Sequence, residues 1–180
     1  MKSPIVLGTV IIFAVLVVAY AVATVQKSST PAPRASQENQ SLNKVHLLGR
    51  VMQESDVETI PDSPYSKGWV VAISSQELAA VLHRAGISPG EKRRLRFRMN
   101  EDLFSAYVVE STRVEIGGSY SLYLDGGGYV LCIGKAESSN EGARTSPFWV
   151  DGCLDVALGR SGMRVIDIFY GIGGVYGRER

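Results

Sequence analysis

Residues 4–25, PIVLGTVIIFAVLVVAYAVATV, carry no charged side chain across 22 positions. As a helix such a run is about 33 Å long, enough to cross a hydrocarbon core of about 30 Å. A buried core helix is the alternative. It fits poorly, because the run is apolar on every side and stands at the extreme N-terminus. The segment therefore predicts membrane targeting, in one of two forms. It stays as a single-pass signal anchor, or it is a signal peptide removed after export. For cleavage, Lys2 supplies a thin basic start, residues 5–18 the apolar stretch and Ala21-Val22-Ala23 an A-x-A site. The length of the run favours retention.

Orientation is a separate question. Lys2 precedes the segment, whereas Lys27, Arg34 and Lys44 follow it, and that count alone points to a cytoplasmic C-terminal part. The secretory look of the segment, the spacer behind it and the cysteines point the other way. The expectation is an extracytoplasmic domain, secreted if residues 1–23 are removed.

Residues 26–43, QKSSTPAPRASQENQSLN, hold almost no large apolar side chain. Such a stretch cannot bury enough surface to offset its ordering entropy. It reads as a disordered linker that holds a domain away from the membrane. Asn39-Gln40-Ser41 matches a glycosylation sequon, which matters only in a eukaryotic secretory pathway. The mean hydropathy of +0.05 is thus an average over an anchor at 1–25, a linker at 26–43 and a domain at 44–180.

That domain holds 16 Lys and Arg against 17 Asp and Glu, which argues against a nucleic-acid partner. Its pattern is mainly β. Residues 45–52 read as a first strand. Residues 69–73, WVVAI, form a continuous apolar run, as in a strand covered on both faces. The period then changes to helical over 74–86, with a capping box from Ser74 to Glu77 and Gly86 as the stop. Residues 94–99, RLRFRM, alternate strictly, with Arg94, Arg96 and Arg98 on one face. Asn100 caps a one-turn helix before a strand in 107–116. Residues 120–124 and 129–133 flank Asp125-Gly126-Gly127-Gly128, which reads as a β-hairpin. Residues 153–158 and 163–169 are two further alternating strands. Many short strands at this spacing predict an all-β sandwich or barrel.

The segment GGSYSLYLDGGGYVLCIGK (117–135) resembles part of the prealbumin-like, or carboxypeptidase regulatory-like, domains. Gly128-Tyr129-Val130-Leu131 stands where their G-x-Y-x-L motif would be. Gly49-Arg50-Val51, followed by WVVAI, is similar to the opening strand pair, and RVIDIFYG (164–171) to the closing strand. The resemblance covers about 90 of the last 137 residues. It implies a seven-stranded Greek-key β-sandwich in an extracytoplasmic setting; the insertion at 74–99, which carries one helix, departs from that pattern. It implies no catalytic residues, because such domains mostly support, bind or space.

Cys132 and Cys153 are the two cysteines of the chain, one ending a predicted strand and one beginning the next. If those strands are neighbours, the pair closes a disulfide; the alternative is two buried thiols. An even count beside a secretory-type N-terminus favours the bridge. No metal site is expected, since the cysteines lack paired ligand spacing.

His46 and His83 stand near no Ser, Asp or Cys at a recognisable motif spacing and read as ordinary histidines. Lys92, Arg93, Arg94, Arg96 and Arg98 form a basic run. It reads as a charged edge that resists aggregation, or as a contact for anionic lipid headgroups or cell-wall polymer. Gly171-Ile172-Gly173-Gly174 follows a strand but leads into no helix and no G-K-[ST], so a phosphate loop is not expected. It reads as a turn or a frayed tail.

These features predict a non-catalytic, cofactor-free binding or accessory module of the envelope. Its partners would be the membrane through residues 4–25 and another envelope protein, polymer or lipid. Two rivals remain. One is an envelope hydrolase or transferase built from His46, His83 and the acidic loop from Asp56 to Asp62. The other is a cytoplasmic, membrane-tethered domain whose arginine strand meets anionic lipid.

Overall fold

Alternating apolar and polar side chains set the first sheet, with β1 (Lys44–Gln53) at its centre. The computed structural model describes residues 44–180, apart from positions 58, 66, 89, 91 and 139–141. The predicted anchor at 4–25 and linker at 26–43 lie outside the described residues. Among the described residues no helix is long and apolar enough to cross a membrane.

On one side β1 pairs antiparallel with β6 (Ser119–Asp125), and at its end with the two-residue β2 (Ser63–Pro64). On the other it pairs in parallel with β9 (Gly162–Gly171), which continues to β10 (Gly174–Glu179). The second sheet runs β4 (Phe97–Met99), β8 (Phe148–Leu158), β7 (Gly127–Ala136), β3 (Trp69–Ser74) and β5 (Val108–Arg113). The architecture is an all-β sandwich of two five-stranded sheets. Ten strands are described, where the resemblance implies seven.

The second sheet is covered twice. Its inner face meets the first sheet in a core that joins Leu47, Leu122 and Ile168 to Val70, Leu131 and Val156. Its outer face carries α1 (Leu78–Arg84) and α2 (Glu101–Tyr107), in a second core that joins Val71, Ile73 and Cys132 to Val81, Leu103 and Phe104. This is why 69–73 is apolar without alternation: Val70, Val71, Ala72 and Ile73 are all fully buried. Among the described residues, two α-helices are present: the one expected within the insertion and the one expected after Asn100.

The termini of these helices follow local chemistry. Asn100 is the N-cap of α2, its side chain accepting from Leu103 N at 2.9 Å. The capping box at α1 does not form. Glu77 takes a helical conformation, no side chain caps the end, and Glu77 N bonds instead to the backbone oxygen of Ser74 at 2.9 Å. At the other end Gly86 adopts φ +71°, with Gly86 N to His83 O at 3.1 Å and Ile87 N to Leu82 O at 2.9 Å. This is a Schellman stop, which a side chain at the left-handed position would strain.

The predicted hairpin at Asp125–Gly128 is overturned. Among the described residues β6 pairs with β1, while β7 pairs with β3 and β8. Leu122 and Leu124 face Leu131 and Ile133 across the inner core, so the glycines carry the chain between sheets. The connection from β8 to β9 also changes sheets. The glycines at 171–174, by contrast, are no frayed tail. They turn β9 tightly into β10, with Gly171 opposite Gly174. The predicted strand 94–99 is shorter, because Lys92–Arg94 is one turn of 3-10 helix and pairing is confined to Phe97–Met99.

Gly49 marks a close approach inside the first sheet. A Cβ there would stand 1.9 Å from Ile166 O. Tyr120, buried, donates its hydroxyl proton to that same oxygen at 2.7 Å, and Arg50 N reaches Asp167 Oδ1 at 2.9 Å. Side chains thus replace the ladder where β1 and β9 lose their regular pairing.

Candidate binding site at one end of the sandwich

Cys132 and Cys153 are direct partners in the β7–β8 ladder and form a disulfide, with Cα atoms 4.1 Å apart. Both are fully buried in the core beneath the helices. Following β8 back from Cys153, the register slips at Ile133 and Gly134. Asp151 is the extra residue of this bulge. Its side chain accepts the hydroxyl proton of buried Tyr65 at 2.6 Å. Burial first, and then this hydrogen bond, push the Tyr65 hydroxyl above its ordinary pKa.

Beyond the bulge, Arg98 on β4, Trp149 on β8 and Lys135 on β7 stand opposite one another in the ladders. Partners across a ladder share a face, and this one points away from the helices. Glu137 binds the row together. It accepts from Arg98 Nε at 2.8 Å, from Arg98 Nη2 at 3.2 Å and from Trp149 Nε1 at 3.1 Å. The guanidinium, and then the indole N–H, hold the Glu137 carboxyl below its ordinary pKa. Trp149 is 47% exposed, with its indole N–H partnered by Glu137.

Beside this row lies a recess of about 200 Å³, lined by Lys67, Trp69, Arg113, Lys135 and Glu137. The Lys135 ammonium sits 4.9 Å above the Tyr65 ring. Among the described residues, Lys67, Arg113 and Lys135 have no carboxylate partner, and Glu137 is committed to Arg98. Basic residues outnumber acidic ones in the lining of the recess, and Trp149 stands across the ladder from Lys135.

A larger groove of about 830 Å³ runs between β8 and β10. Two ion pairs span it. Lys92 binds both oxygens of Asp155 at 2.7 and 2.8 Å, and Arg164 binds Glu179 at 2.6 and 2.9 Å while also donating to Ala157 O.

The basic run does not form one arginine face. Arg94 belongs to the 3-10 turn, Arg96 donates to Tyr170 Oη at 3.2 Å, and Arg98 holds Glu137. The residues of the hydrolase alternative do not converge either. His46 lies on the outer face of the first sheet, His83 is exposed on the helix covering the second, and Asp62 folds back onto Ser55 N at 3.1 Å. His46 Nε2 does meet Ser121 Oγ at 2.8 Å, and its ring stacks on Tyr123. Among the described residues no carboxylate orients the other ring nitrogen, which a nucleophile–base pair requires. No group of three potential metal ligands occurs among the described residues.

Sequence reasoning missed Lys67, Arg113, Lys135, Glu137 and Trp149. One signal was present. In Phe148-Trp149-Val150 the alternation puts the indole on the face opposite two core side chains.

No family model matches the chain, and no characterised protein matches its sequence. Among solved structures, a "putative carbohydrate binding protein" from Pseudomonas aeruginosa is similar at a TM-score of 0.42 and 11% identity. That match covers 77% of this chain and 97% of the other.

Proposed function

We propose that this chain is a non-catalytic binding module of the cell envelope, displayed outside the membrane by the anchor at 4–25 and the linker at 26–43. One observation carries the reading: the exposed Trp149, whose indole N–H donates to Glu137, in a row with Arg98 and Lys135 on one face of the second sheet. Large aromatic and cationic side chains whose rotamers are already fixed lose little entropy on binding. The buried Cys132–Cys153 bridge supports an oxidising compartment. The two-sheet, all-β architecture supports a sandwich-type display module.

The experiment is retention of the purified full-length protein by isolated envelope material. The wild type is retained and the material is recovered chemically unchanged, whereas Trp149→Ala passes through. Equal retention of both proteins, or turnover of the material, refutes the reading. Reporter fusions at the C-terminus test the topology; activity of a cytoplasm-only reporter sinks the extracytoplasmic placement.

A further inference from the structure

The groove of about 830 Å³ between β8 and β10 is bounded by two strand edges. On one side of β8 lies β7. On the other, β4 pairs with residues 148–150 alone, and the chain before β4 turns off in the 3-10 turn Lys92–Arg94. Among the described residues no strand continues that position beside 153–158. The register fixes the direction of the backbone groups there. Cys132 and Cys153, with Cα atoms 4.1 Å apart, are a close pair of the kind that exchanges no backbone hydrogen bonds. Counted by twos along β8, Asp155 and Ala157 fall in pairs of the same kind. Their N–H and C=O groups therefore point away from β7 and into the groove that they line. Arg164 bears this out independently, because its guanidinium donates to Ala157 O from within the groove.

The opposite wall is built alike. β10 pairs with β9 alone, and Arg180 N donates to Val165 O at 3.0 Å. That bond fixes the hydrogen-bonded positions of the ladder. Val175, Gly177 and Glu179 fall between them, with their backbone groups turned toward the groove. Leu154, Val156, Ile166 and Val175 give the groove an apolar lining. Lys92–Asp155 and Arg164–Glu179 cross it as partly exposed pairs, which part at little cost. Among the described residues the amides of Asp155, Ala157 and Gly177 have no hydrogen-bond partner. The chemistry that satisfies such an edge is another extended backbone.

We infer that the groove binds an extended peptide segment of a partner protein, which adds to the edge of β8 beside Asp155 and Ala157. The segment takes the place that β4 leaves vacant. Its carbonyls accept from the Asp155 and Ala157 amides, and one of its own amides replaces the Arg164 guanidinium on Ala157 O. Alternate side chains lie on the apolar lining and the others face solvent, so the segment alternates apolar and polar residues. A glycan fits less well, because donors and acceptors that repeat every second residue match the repeat of a strand. Trp149 does not line the groove, so this site goes beyond the module reading and does not rest on it.

The full-length protein in non-ionic detergent is titrated with a fluorescein-labelled peptide of alternating valine and threonine, flanked by lysines and capped at both ends. Its anisotropy is expected to rise and saturate. Amide exchange at Asp155 and Ala157, read by NMR, slows by roughly 10-fold or more. The same peptide methylated on every amide nitrogen does not bind. Ala157→Pro removes an outward N–H while sparing the β7 ladder, and weakens binding by roughly 10-fold. Trp149→Ala binds the peptide as the wild type does. Thermal melting checks the folding of Ala157→Pro; if that variant fails to fold, the methylated peptide and the exchange rates decide.

Lack of saturable binding up to about 1 mM overturns the inference. Equal binding of the methylated peptide, or unslowed exchange at both amides, overturns it as well. Binding that is lost in Trp149→Ala and kept in Ala157→Pro moves the peptide to the Trp149 row, which overturns the groove and leaves the module reading intact. Peptide binding as expected, with no retention by envelope material, upholds the groove and refutes that reading.

Discussion

Reduction of the Cys132–Cys153 bridge tests the central part of the fold. The two cysteines are 21 residues apart in sequence. Closing a loop of that length removes denatured-state entropy equivalent to about 3.4 kcal/mol at 25 °C. For a domain of about 137 residues, the entropy of unfolding near 60 °C is about 0.29 kcal/mol/K, so the loss corresponds to a fall in Tm of about 12 °C. The assay is urea unfolding and thermal melting of the same protein with and without excess dithiothreitol. The reduced protein keeps its thiols in place, so this comparison isolates the cross-link. Cys132→Ala/Cys153→Ala adds a second loss of about 2–4 kcal/mol, because both sulfurs are fully buried among Val71, Val150 and Phe148. A loss below about 1 kcal/mol on reduction refutes the reasoning. It would mean that the denatured chain already holds β7 against β8, or that the bridge does not form.

Gly49→Ala places a methyl 1.9 Å from Ile166 O and is expected to cost about 3 kcal/mol in urea unfolding; a cost under 0.5 kcal/mol contradicts the close approach. Asn100→Ala removes the N-cap of α2 and is expected to cost about 1 kcal/mol, read in the same way. Burial above all holds the Tyr65 and Tyr120 hydroxyls neutral in the folded state. Their contribution is complete below pH 10 and is lost as pH rises, by about 1.4 kcal/mol per pH unit for each tyrosine, because only the unfolded chain ionises. Urea midpoints that stay level between pH 9 and 11 contradict this. Tyr120→Phe should roughly halve the alkaline slope, while costing about 1–2 kcal/mol at pH 7 through the unpaired Ile166 oxygen.

What was legible in the sequence was local. Alternation marked β1, β6 and β9, the unbroken WVVAI run marked a strand covered twice, and Asn100 and Gly86 marked helix ends by their own side-chain and backbone chemistry. What was not legible was pairing. Asp125-Gly126-Gly127-Gly128 can turn a hairpin or cross between sheets, since glycine permits either path. The choice is made by a core that places Leu122 and Leu131 on opposite walls. The binding site fails to appear for the same reason. Arg98, Lys135 and Trp149 are separated by many residues and meet through the registers of β4, β7 and β8. Arg94, Arg96 and Arg98 drew attention because they are adjacent in sequence, yet Arg96 and Arg98 are tied to Tyr170 and Glu137.

The disulfide and the candidate site belong to one ladder. Cys132 opposite Cys153 and Lys135 opposite Trp149 are pairs of the same two strands, separated by the bulge at Asp151. Side chains alternate along a strand, so a slip of one residue would drive Trp149 into the face filled by Phe148 and Val150. It would also carry Asp151 away from Tyr65. The bridge stabilises the domain through the denatured state and pins the register on the Cys153 side, while the extra residue Asp151 sets which face the indole occupies beyond the bulge. This second consequence depends only on the register, so it holds whatever ligand the Trp149 row takes.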